Sequence, residues 1–240
     1  MIKKKQNILL YIVFLLQIIL WWLAHEIKPT FIITPYPPTQ IEINAFSFGD
    51  KQFLYRKLAF SLQNAGDKLG HYTNINNLDY TRIERWLKAL DKMDTKSHYI
   101  PFMAAYYYAI TNNPMNSKII ADYITDYASK DPTKHWRLLT TSAYIYYKNP
   151  AIAGNKLHNI GKILIKEHDI PMWAKSLAGF YLKDNGDICN AYKLISQISQ
   201  DDFLISRGNA EDEFLLTLLE ENIQRLKHTH QQDLAKCRFI

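Results

Sequence analysis

From about Lys51 onward, apolar residues recur along this chain at helical spacing. Leu54, Leu58 and Leu62 fall four apart and so share one face of a helix over 51–65. Ile83, Leu87 and Leu90 stripe a second helix from Asp79, with Trp86 beside them. Beyond Ile100 the punctuation sharpens. Asn113-Pro114, Asp131-Pro132 and Asn149-Pro150 each set an N-cap residue before a proline at the first helical position. The stripes that follow them are Ile120, Tyr123, Ile124 and Tyr127, then Trp136, Leu139 and Ala143, then Leu157, Ile160 and Leu164. Gly154 and Gly161 weaken the last of these helices. Pro101 opens a helix with Phe102, Ala105 and Ala109, and Pro171 one with Trp173, Leu177 and Phe180. Asp187 caps Ile188, Ala191, Ile195 and Ile198. Strand patterns are nearly absent.

A short motif repeats through this pattern. Ala104-Ala105-Tyr106, Ser142-Ala143-Tyr144 and Ala178-Gly179-Phe180 lie 38 and then 36 residues apart, and Leu58-Ala59-Phe60 is a fainter copy. Regular self-similarity on that scale marks stacked helical hairpins. A closing helix from Asn209 to about Lys227 differs. Glu211, Asp212 and Glu213 fill its first turn and Arg225 and Lys227 its last, which opposes the helix dipole at both ends and suits an end cap. The tail after His228 reads as loose.

Ahead of the array, Ile8 to Ala24 runs seventeen residues without a charge, behind Lys3, Lys4 and Lys5. As a helix it is roughly 25 Å long, enough for a thin hydrocarbon core. Trp21-Trp22-Leu23-Ala24 lacks the small-residue pattern of a cleavage site, so an uncleaved signal anchor is expected. The lysine flank keeps residues 1–7 in the cytoplasm and sends the body outward, into the periplasm of a bacterial inner membrane; the alternative leaves it cytoplasmic. Residues 25–50, with Pro29, Pro35, Pro37 and Pro38, read as an extended linker before a helical domain over 51–228 and a tail over 229–240.

Composition changes this picture little. The chain has 240 residues, 48% apolar and 22% charged, with net charge +6, which excludes disorder. Its charges are scattered, with no basic block among exposed aromatics, so nucleic acid is not an expected partner. Cys189 and Cys237 fit no zinc pattern. They pair if the body is in an oxidising compartment; otherwise they are two unrelated thiols, one of them buried, and the sequence favours the latter.

With these residues in place the array resembles tetratricopeptide (TPR) repeats over about residues 51–200. Ala178-Gly179, Leu182, Ala191 and Ile195 match the small and apolar positions of that family, and Asp131-Pro132 resembles its repeat-ending pair. The spacing exceeds the usual ~34 residues, and the first unit carries an insertion. The resemblance implies an all-α, right-handed array of antiparallel helix pairs, about four with a capping helix. It also implies a concave groove that holds a peptide or protein. Phe60, Tyr106, Tyr144 and Phe180, each following the small residue, would form an aromatic ladder there, flanked by Arg56, Arg137 and Lys183 favouring an acidic segment. The competing reading makes these rings core. Trp136 and Trp173 are expected between repeats.

Candidate chemistry is sparse. The eight histidines are dispersed. His228, His230 and Cys237 lack a fourth ligand, and Asp201-Asp202 and Glu220-Glu221 are adjacent carboxylates that face apart on a helix. GxSxG, P-loop and HExxH motifs are absent. No catalytic residue, metal, cofactor or small-molecule substrate is expected. The function these residues support is a membrane-anchored interaction module, with a structural subunit of an envelope complex as the alternative and an envelope hydrolase a distant third.

Overall fold

The computed structural model describes residues 2–24, 33–68, 70–200 and 210–237. Asp201-Asp202, His25, Pro29 and the start of the closing helix at Asn209 lie outside them. The chain divides into two units, residues 1–33 and 34–240. The first holds α1 (Ile2–Ala24), whose described side chains, Tyr11 to Ala24, are exposed. Among the described residues no helix is long and apolar enough to cross a membrane, so the expected anchor gains no support here.

The second unit is all-helical apart from one two-residue hairpin. Its elements are α2 (Gln40–Phe46), α3 (Lys51–Gln63), β1 (Asp67–Lys68) with antiparallel β2 (His71–Tyr72), α4 (Tyr80–Met93), α5 (Tyr99–Tyr106) and α6 (Pro114–Ala128). There follow α7 (Pro132–Lys148), α8 (Pro150–Ala153), α9 (Lys156–Lys166), α10 (Met172–Asp184), α11 (Ile188–Ser199), α12 (Ala210–Thr229) and α13 (Gln231–Lys236). Asn113, Asp131 and Asp187 accept backbone N–H bonds as side-chain N-caps, as the punctuation predicts, and Asp79 does the same, whereas Asn149 makes no such bond. Gly154, at φ +45, does more than weaken a helix: it separates α8 from α9.

Successive helices pack on one another and on the next but one. α5 lies on α7 and α7 on α10 in one layer, while α4 lies on α6 and α9 on α11 in the other. This arrangement is compatible with a helical-repeat fold. The small residues of the motif allow the close approach. Ala59, Ala105 and Ala143 are buried, and a Cβ on Gly179 would sit 2.8 Å from Ile195 Cγ1. Gly161 serves the same purpose, since its Cβ would stand 2.4 Å from Leu194 Cδ1. The layers are also joined by a half-buried polar clamp. Asp122 on α6 accepts from Lys118 (2.5 Å), from Lys156 of α9 (2.7 Å) and from the Tyr146 hydroxyl of α7 (2.7 Å). Burial pushes this carboxyl up, but those donors outweigh it and hold the pKa at about 2.

Four expectations change. The linker's second half is part of the body: Thr39 and Glu42 form a capping box for α2, and Ile43 is buried. Residues 34 and 35 are held to α4, with Trp86 Nε1 donating to the Pro35 carbonyl at 2.7 Å and Arg82 to that of Thr34 at 2.9 Å. Trp136 and Trp173 do meet across α7 and α10, edge to face at 5.3 Å, but Trp173 is exposed and Trp136 half-buried, so neither is core. The tail is not loose through residue 237. It forms α13, and Cys237 is bonded to Cys189 on α11 with Cα atoms 5.6 Å apart. The cysteines are therefore one disulfide, not two unrelated thiols. This closes the chain over α12, whose Leu219, Ile223 and Leu226 cover Met172, Ile195 and Ile198 of the last pair.

Candidate functional site

A groove opens on the layer made by α5, α7 and α10. Its cavity, about 750 Å³, is floored by Ala105, Ala109, Ile145 and Leu177 and walled by Tyr106, Tyr144 and Tyr181. The motif places these rings. A small residue turned to the partner helix puts its successor about 100° round, on the open face. Tyr106 is thus 60% exposed and Tyr144 48% exposed, although both sit beside buried alanines. Phe102 stacks on Tyr106 at 5.7 Å, and Tyr147 stacks on Tyr181 at 4.4 Å.

The groove's rim is polar. Asn76, from the turn after the hairpin, accepts from the Thr111 hydroxyl and from the Asn112 N–H, both at 2.9 Å, and so fixes one lip. Asn149 forms the other, its amide donating to the Ile145 carbonyl. Lys148 is the cation in the lining. Its ammonium lies 5.6 Å from the Tyr144 ring centre and 5.7 Å from that of Tyr147, and no described carboxylate pairs with it.

The expected ladder is therefore partly assembled. Tyr106 and Tyr144 share the groove. Phe60 is 67% exposed but lines a separate recess of about 320 Å³ with Arg56 and Tyr99. Phe180 packs against the core under α12, so Tyr181 takes its place in the groove. None of the three expected cations lines the groove. Arg137 lies over the Trp136 ring at 4.3 Å, and Lys183 donates to Asn222 on α12 at 3.0 Å. Sequence reasoning missed Lys148, although Tyr144, Tyr147 and Lys148 stand at i, i+3 and i+4 and must share a helical face.

Other polar groups group elsewhere. Asp91 on α4 accepts from the Tyr123 hydroxyl at 2.5 Å, and burial raises its pKa to about 6 against the pull of that bond and of Lys130. Folded Asp91 binds its proton more tightly than the unfolded residue, at 3.8. The stability it contributes is complete below about pH 4 and is lost as pH rises through about 6. Asp91→Asn keeps an acceptor for Tyr123. It is expected to flatten that segment of a urea-unfolding pH profile and to raise stability at about pH 8 by on the order of 1–3 kcal/mol. Glu220 and Glu221 are exposed. Cys237 is committed to its disulfide, which removes it as a partner for His228 and His230. Among the described residues no group of three His, Cys, Asp or Glu is placed to hold a metal.

No protein-family model, curated protein or solved structure matches this chain. The tetratricopeptide resemblance accordingly rests on its own motifs and on the packing above.

Proposed function

We propose that this protein is a TPR-like interaction module that holds a segment of another protein in the α5–α7–α10 groove. The carrying observation is that Tyr106 and Tyr144 leave their rings open on the same cavity as Tyr181, beside a cation with no carboxylate partner among the described residues. Large rigid rings offer contact area at low entropy cost, and Lys148 selects a segment bearing an acidic side chain. An open groove favours this reading over a structural subunit whose groove is permanently filled. Crosslinking in membranes identifies the captured partner. The double substitution Tyr106→Ala/Tyr144→Ala is expected to abolish that capture while changing the melting temperature little, because neither ring is core. Unfolding of the double variant, or unaltered capture, would overturn the assignment.

We propose further that residues 8–24 tether the module to a bacterial inner membrane with the body on the periplasmic side. The lysine flank and the Cys189–Cys237 bond support this, since disulfides persist in oxidising compartments. A reporter active only outside the cytoplasm should work when fused after Ile240. Activity confined to a cytoplasmic reporter would refute it.

A further inference from the structure

Two imidazoles meet behind the groove. His98 is the residue before α5, and His135 stands in the first turn of α7, where its φ/ψ of −112° and 17° break the helical run. Their rings contact edge to face at 5.1 Å, and the Tyr127 ring of α6 lies 5.0 Å from His135. His98 Nδ1 is buried without a hydrogen-bond partner. The contact therefore joins the starts of the two helices that carry Tyr106 and Tyr144 at their other ends.

We propose that the His98–His135 contact is a proton-sensitive joint between the two groove helices, closed while His135 is neutral and released when His135 takes up a proton. The electrostatics around it almost all oppose positive charge. His135 sits in the first turn of α7, where the backbone dipole disfavours a cation. His98 and Lys134 also oppose charge on His135; Asp131, the α7 N-cap, is the opposing anion. From α6 the facing groups are Tyr127, a neutral phenol, and Lys130, whose ammonium lies 6.0 Å from the Tyr127 ring. From α4 the charge acting on Tyr127 is Asp91, which Tyr123 already occupies. Burial first, and then His98 and Lys134, lower the affinity of His135 for a proton. A proton on His135 puts a part-buried cation against the His98 ring and beside Lys134, and the relief is for the turn at His135, where the helical φ/ψ run is already broken, to swing from α5.

The joint rests on the groove's geometry and not on the identity of its occupant, so it is tested without one. The full chain, solubilised in detergent and labelled with fluorotyrosine, gives ring resonances for Tyr106 and Tyr144 that Tyr→Phe variants assign. Between about pH 7.5 and pH 5 both resonances should move together, with a midpoint below the free-imidazole value of about 6.5. His98→Gln and His135→Gln should each flatten that movement, and either variant suffices if the other does not fold. Rings that stay fixed across the range, or that move equally in the variants, would overturn the proposal. Loss of partner capture with the pH response intact would instead count against the proposed function alone.

Discussion

Replacing Cys189 and Cys237 together with serine should lower the unfolding free energy by about 4 kcal/mol. The disulfide spans a sequence separation of 48. In the chain-entropy treatment, closing a loop of that length removes about 14 cal/mol/K from the unfolded ensemble, which sets the figure. The loss should be uneven. α13 is held to α11 by this bond and by few other contacts, and α12 covers the last helix pair with Leu219, Ile223 and Leu226. Hydrogen exchange in the double variant should rise first in α13, then in α12 and α11, and last in α4 and α6. A urea midpoint shared by the variant and the native protein would show that the bond constrains nothing.

The second large effect lies two residues beyond Tyr106. Tyr108→Ala is expected to cost about 3–5 kcal/mol, in contrast to Tyr106→Ala. Tyr108 is fully buried; its hydroxyl donates to the Leu62 carbonyl at 2.7 Å and its ring meets Tyr80 edge to face at 6.2 Å. Tyr80 in turn donates to the Tyr108 carbonyl at 3.1 Å, so the pair ties α3, α4 and the turn after α5 together. Tyr108→Phe keeps the volume and removes one buried hydrogen bond, while the Ala65 N–H still donates to the Leu62 carbonyl at 3.0 Å, a loss of about 0.5–1.5 kcal/mol. Thermal unfolding of the three variants should therefore order Tyr106→Ala, Tyr108→Phe and Tyr108→Ala by increasing damage. Equal melting of Tyr106→Ala and Tyr108→Ala would mean that the Tyr106 ring is core after all.

This contrast shows what was legible in the sequence. The triplet Tyr106-Tyr107-Tyr108 places one ring in the groove and another in the core, and a motif defined by its small residues distinguishes them only while the helix continues. α5 ends at Tyr106, and the tight turn over Tyr108–Ile110 sends the Tyr108 ring inward while Tyr107 stays exposed. Helix starts were readable because Asn-Pro and Asp-Pro pairs act locally, through one side chain and its own backbone. Groove membership was less so. Tyr106 and Tyr144 were found from the repeat, but on α10 the closing helix α12 covers Phe180 and hands its place to Tyr181, a tertiary effect that no spacing records. The same cover draws Lys183 to Asn222. The disulfide was left as the less favoured of two readings for a similar reason: only the fold of α12 and α13 decides whether residue 237 returns to residue 189.

Asp122 has a consequence for how the molecule comes apart. A linear array whose members touch only their neighbours opens one member at a time, and its parts report separate opening energies. One carboxylate that accepts from α6, α7 and α9 at once removes that independence, because releasing any one helix leaves a charge half-buried and short of donors. Opening of the three helices is thereby coupled. The groove wall on α7 shares in that coupling, so release of α6 or α9 is felt at the site it helps to form.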